Sequence, residues 1–263
     1  MSSQPQVKSC VIYPKPNPQA RVRLFCFPYA GGTAAIFRTW PSYLPSEIEL
    51  CAIQYPGRGS RIAERLNEHV TEMVNSCYDE LQPFLTKPFA FFGHSMGALV
   101  SYEFARRLQR EQRRGPFGLF VSGCTAPHMK AFDKATYDLP EPEFIAELRQ
   151  LQGTPPEVLD NKELMQLMMP IIRADFKVSQ TYQYDPGPPV ECPIRAFGGL
   201  KDEMVTRAKI EGWSEHTSGG FRAQMLPGDH FFLNTSQPLL TRIIAQELIT
   251  QMNQSTARPS AAY

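Results

Sequence analysis

Ser95 sits between two glycines in Gly93-His94-Ser95-Met96-Gly97, which separates an apolar run, PFAFF at 88–92, from Leu99, Val100, Phe104, Ala105 and Leu108 at helical spacing. A serine on a sharp strand-to-helix turn presents its hydroxyl as a nucleophile, and the flanking glycines fit because larger side chains would crowd the turn. The helix that starts there aims its positive end and free N–H groups at a reacting carbonyl. The hydroxyl still needs a base. Of the five histidines, His230 in LPGDHFFL fits, because it follows the last expected strand and so falls in a loop at the carboxyl edge of a sheet. His94 adjoins Ser95 and would point elsewhere. His69 falls in an amphipathic helix, and His128 and His216 lie in a long insertion and near a helix end. The acid should precede His230 and follow a strand. Asp202 in RAFGGLKDEM does so, and would hold the imidazole tautomer and stabilise the imidazolium. Asp175 in IIRADF is the rival, although Arg173 beside it suggests an ion pair. Asp229 is badly placed to reach the neighbouring ring, and Glu203 would face away from a tight turn. An oxyanion needs two N–H donors. Met96, directly after the serine, is one. The other comes from FCFPYAGGTAA at 25–35, where Ala30 is the expected donor and Tyr29 the alternative.

These residues meet only if strands end side by side. Strands are expected at 21–27, 49–55, 88–92, 118–124, 193–198 and 221–226. Between the second and third, Leu66, Val70, Met73, Val74, Cys77, Leu81 and Phe84 recur at helical spacing; a last helix carries Leu239, Leu240, Ile243, Ile244, Leu248 and Ile249. Strands alternating with helices imply a mostly parallel sheet covered on both faces. The order serine, acid, histidine is that of the α/β-hydrolase fold. From about 125 to 190 no strand is evident, and the short helical patterns there read as a helical lid insertion over the carboxyl ends of the strands. Within it Met165, Met168 and Met169 are expected to line a substrate pocket, since methionine packs adaptably.

The chain has 263 residues, 42% of them hydrophobic, which suits one sizeable core, so 1–263 is read as a single α/β domain. A net charge of +1 lacks the basic excess of a nucleic-acid binder. The six cysteines, at 10, 26, 51, 77, 124 and 192, form no zinc-site spacing and are expected as small core residues in a reducing compartment. Neither a metal nor a cofactor is called for. No apolar run approaches a membrane span, and the first residues lack the apolar core of a secretory signal, so a cytoplasmic protein without a membrane partner is expected. The first twenty residues read as an arm or lead-in strand, and 254–263 as a disordered tail.

Six motifs in order, FPYAGG (27–32), YPGRGSR (55–61), FFGHSMGAL (91–99), PIIRADF (170–176), GGLKD (198–202) and LPGDHFF (226–232), give the chain its resemblance to a known family. It resembles the stand-alone type II thioesterases of nonribosomal peptide and polyketide synthases, and is similar to the medium-chain thioesterase of animal fatty acid synthase. The resemblance implies Ser95, Asp202 and His230 as a catalytic triad. It implies an acyl or aminoacyl thioester on the phosphopantetheine arm of a carrier protein as substrate, and editing or release of stalled chains, for instance in antibiotic biosynthesis. A monomer is expected. Arg58 and Arg61 follow a strand's carboxyl end, where they could meet the carrier or its phosphate. The run RRLQREQRR at 106–114 reads as a solvated helix end. A general carboxylesterase or acyltransferase with the same triad is the alternative, and a catalytically inactive interaction module a third.

Overall fold

The computed structural model describes residues 9–257 except 152, 154 and 155. Its centre is a seven-stranded sheet of β1 (Val11–Ile12), β2 (Val22–Phe27), β3 (Ile48–Ile53), β4 (Phe89–His94), β5 (Leu119–Ser122), β6 (Ile194–Gly199) and β7 (Phe221–Leu226). The spatial order is β1-β3-β2-β4-β5-β6-β7. Every neighbouring pair is parallel except β1 with β3, where Val11 faces Ile53. The lead-in segment therefore contributes an antiparallel edge strand. The inner strands are buried on both faces, as in β4, whose six residues are all buried. Alternation along β2 splits its side chains between two cores. Phe25 and Phe27 join the core beneath α1 (Val70–Leu81) and α2 (Met96–Arg110). Leu24 and Cys26 join the opposite core, with Phe37, Trp40 and the last helix.

The chain runs from the C-terminal ends of β4, β5, β6 and β7 into α2, the insertion and the loops before α6 (Arg207–Glu211) and α7 (Phe232–Thr235). The insertion holds α3 (Glu141–Leu151), α4 (Pro156–Leu159) and α5 (Lys162–Gln180), packed around a small core of Phe144, Leu148, Leu159, Met165, Met169 and Ile172. α8 spans Gln237–Ala257. Residues 254–257, read above as part of a disordered tail, thus continue a helix, because the apolar face of α8 packs on the sheet and the backbone bonds carry on past it. The rest of that tail lies outside the described residues. All six cysteines are free, five of them buried. Among the described residues no helix is long and apolar enough to cross a membrane.

Candidate active site

Ser95 directly follows β4 and precedes the first turn of α2, with φ 52° and ψ −120°. Such a conformation is costly for a residue with a Cβ and persists only where its surroundings over-determine it. Its own N–H donates to Ser122 O on β5 at 2.8 Å. A Cβ on Gly93 would lie 2.1 Å from Gly97 O, and one on Gly97 would lie 2.2 Å from Phe27 O. The glycines are thus required by close backbone approach, of the turn to itself and of α2 to the segment leaving β2.

His230, in the loop between β7 and α7, brings Nε2 to 3.1 Å from Ser95 Oγ and Nδ1 to 2.7 Å from Asp202 Oδ2. An ionised carboxylate only accepts, so Nδ1–H donates to Asp202 and leaves Nε2 as acceptor for the serine hydroxyl. Asp202 stands on the turn after β6, 8% exposed, and its Oδ1 accepts from the N–H groups of Met204 and Val205 at 3.0 and 2.9 Å. Burial works to raise the Asp202 pKa, but the bonds from His230, Val205 and Met204 outweigh it and hold the group below its ordinary value. His94 is directed away from Ser95: its Nδ1 pairs with Ser122 Oγ at 2.9 Å, and burial keeps it neutral with a pKa well below the usual histidine value.

Two cavities open onto Ser95 and His230. One, of about 220 Å³, is bounded by Met96, Thr125, Lys130 and Tyr182. The other, of about 70 Å³, is apolar and bounded by Tyr29, Ala30, Leu148, Leu151, Ile172 and Phe176. A larger groove of about 660 Å³ lies at the opposite ends of β5, β6 and β7 against α8, away from this chemistry. Met96 and Ala30 thus border the serine. Met165, Met168 and Met169 do not: Met165 and Met169 fill the insertion's own core and Met168 packs against it. The reason is their place on α5, whose second half carries Ile172, Phe176, Ser179 and Gln180 to the cavities while the first half packs on α4 and turns Met165 and Met169 into the insertion's own core.

Other expectations are corrected by burial. Arg58 and Arg61 are 1% and 3% exposed, so neither offers a charge to a partner. Arg61 pairs with Glu64 and Glu80, and Arg58 with Asp175. Asp175 therefore does bind an arginine, but not Arg173, whose Nη1 donates to Tyr137 O and whose guanidinium lies over Phe144. His69 precedes α1 and is exposed. His216 is buried, with Nδ1 3.0 Å from Tyr102 Oη and Nε2 2.8 Å from His128 Nδ1. In the basic run, Arg106 is buried against Glu103 and Asp185 O, while Arg110, Arg113 and Arg114 are exposed. Sequence reasoning missed the Ser122–His94 bond and the contact of Asp175 with the loop after β2; the one available signal was a carboxylate flanked by apolar residues in PIIRADF. Among the described residues no cluster of three His, Cys, Asp or Glu is arranged to hold a metal ion.

Comparison with known proteins places residues 22–248 within the model of a family described as Thioesterase domain. Gramicidin S biosynthesis protein GrsT of Aneurinibacillus migulanus is 44% identical over 243 residues, 92% of this chain and 95% of that one. The medium-chain S-acyl fatty acid synthase thioesterase of Homo sapiens is 34% identical, covering 82% of this chain and 83% of its own. The solved structure of the type II thioesterase BorB from the borrelidin biosynthetic cluster superposes with a TM-score of 0.83 at 37% identity, over 90% of this chain and 97% of that one.

Proposed function

Since the chain belongs to the Thioesterase domain family, and is a hydrolase acting on thioesters, we propose that it cleaves acyl or aminoacyl groups from the phosphopantetheine arm of a carrier protein, editing or releasing stalled chains in peptide, polyketide or fatty acid synthesis. Ser95 is the nucleophile, His230 the general base and acid, and Asp202 the group that holds the imidazole. The observation that carries this reading is the continuous hydrogen-bonded path from Ser95 Oγ through His230 to Asp202, at a strained turn bordered by two cavities. As Oγ attacks the thioester carbonyl, Nε2 takes its proton and the Asp202 charge stabilises the imidazolium. The carbonyl oxygen becomes an oxyanion, met by the N–H groups of Met96 and Ala30. Collapse expels the thiolate, which His230 protonates. Water then attacks the acyl-serine and gives its proton to Nε2; the bond from the acyl carbon to Oγ breaks, Nε2 returns the proton to Ser95 Oγ, and the acid is released. A thiol with a pKa of about 8.5 leaves readily near neutral pH, so the site need not grip its substrate tightly. The chain supplies the whole apparatus; the phosphopantetheine arrives with the substrate, and no metal or cofactor enters the scheme.

The test compares one acyl group on a holo carrier protein, on coenzyme A and as a nitrophenyl ester, each against Ser95→Ala. Marked preference for the carrier supports the proposal. Equal or better turnover of the oxygen ester overturns it in favour of a general esterase, and no turnover or fluorophosphonate labelling at all points to an interaction module.

A further inference from the structure

Asp175 belongs to α5, yet its partners lie on the sheet side. Its Oδ1 accepts from Arg58 Nη2 at 2.7 Å, and its Oδ2 accepts from Arg58 Nη1 at 2.5 Å and from the Gly31 N–H at 2.7 Å. Asp175 is 0% exposed, and Arg58 also reaches Gly32 O at 3.4 Å. Gly31 follows Ala30 directly and has φ +76°; a Cβ there would come within 3.2 Å of Ile172 Cγ1, one turn before Asp175. α5 therefore holds the loop at two adjacent points, one packed and one hydrogen-bonded. Fixing the peptide after Ala30 restricts rotation at Ala30 itself, and with it the direction of the N–H assigned to the oxyanion.

We propose that Asp175, neutralised by Arg58, is a positioning residue that sets the oxyanion loop through the Gly31 N–H and so makes turnover depend on the seating of α5. This rests on the roles given above to Ser95 and Ala30. An ion pair that only supported the fold would need neither the third bond nor its placement beside the donor.

Removing one partner strands a buried charge, so the test uses two neutral pairs. Arg58→Leu with Asp175→Asn keeps an acceptor for Gly31; Arg58→Leu with Asp175→Leu abolishes it. Asp175→Glu is a third variant, which keeps the charge pair but displaces the acceptor if the neutral pairs fail to fold. Turnover of a nitrophenyl ester, affinity for a boronic acid that forms a tetrahedral adduct on Ser95, and melting temperature are read for each. The expected result is a fall of about 10- to 100-fold in kcat for the double-leucine and the glutamate variants, with KM little changed and boronate affinity falling in step. The asparagine pair recovers most of that loss. Equal kcat for the two neutral pairs, wild-type kcat for Asp175→Glu, or a loss confined to KM overturns the proposal. Failure of the wild type on carrier-bound thioesters would sink the carrier reading alone, because the ester and the boronate require only the serine and its oxyanion donors.

Discussion

Replacing Gly97 by alanine sets two principles against each other. Gly97 lies in the first turn of α2, and helix propensity alone makes the alanine stabilising by about 1 kcal/mol. The structure gives the opposite sign. The new Cβ would stand 2.2 Å from Phe27 O and 2.7 Å from Pro28 O, whereas carbon and oxygen settle at about 3.3 to 3.6 Å. The obstacle is backbone, so either α2 or the 27–30 segment must retreat by about 1 Å, and both carry groups assigned to the oxyanion site. A misplacement of about 1 Å costs on the order of 100-fold in rate, equal to about 2.7 kcal/mol of barrier. Overpacking should lower stability by a further amount, about 1–3 kcal/mol. The assay is nitrophenyl ester turnover together with urea unfolding. Gly115→Ala is the control, since nothing lies within 4 Å of a Cβ there. Wild-type kcat in a folded Gly97→Ala protein would refute the reasoning: α2 and the loop after β2 would then part without moving the reacting groups, and crowding would not be why glycine stands there.

Asp202→Asn should leave the fold intact, since the side chain can still accept from Met204 and Val205, but cut kcat by about 10⁴-fold by imposing the wrong imidazole tautomer; stopped-flow acylation reads this directly. Burial, then His128 and Arg106, lower the His216 pKa to about 4, against about 6.5 unfolded. The unfolded chain takes that proton first, so this stability is fully present above about pH 6.5 and is lost as the pH falls towards 4; at pH 5 the loss is about 2 kcal/mol. Urea unfolding near neutrality and at about pH 5 should show that difference shrinking by about 2 kcal/mol in His216→Gln, and an unchanged difference would contradict it. Phe176→Ala should enlarge the apolar cavity beside Ser95 and shift preference towards longer acyl groups, read as kcat/KM across an acyl series.

The sequence by itself determined the strand–turn–helix around Ser95, because the apolar run, the two glycines and the helical spacing are all local. It also determined the parallel sheet and the order of serine, acid and histidine along the chain. That His230 and Asp202 come together was legible because each lies in the loop that follows a strand, and strands that run parallel end at one edge. What it left open was everything decided by packing between distant segments. Nothing local distinguishes an arginine after a strand that meets solvent from one that turns inward, and Arg58 turned inward because a carboxylate 117 positions away entered the same dry site. Met165, Met168 and Met169 had the composition of a pocket wall, but which face of α5 met the cavity was set by how the helix lies across the loop after β2. Helical spacing shows which residues share a face; only the tertiary structure decides what that face meets.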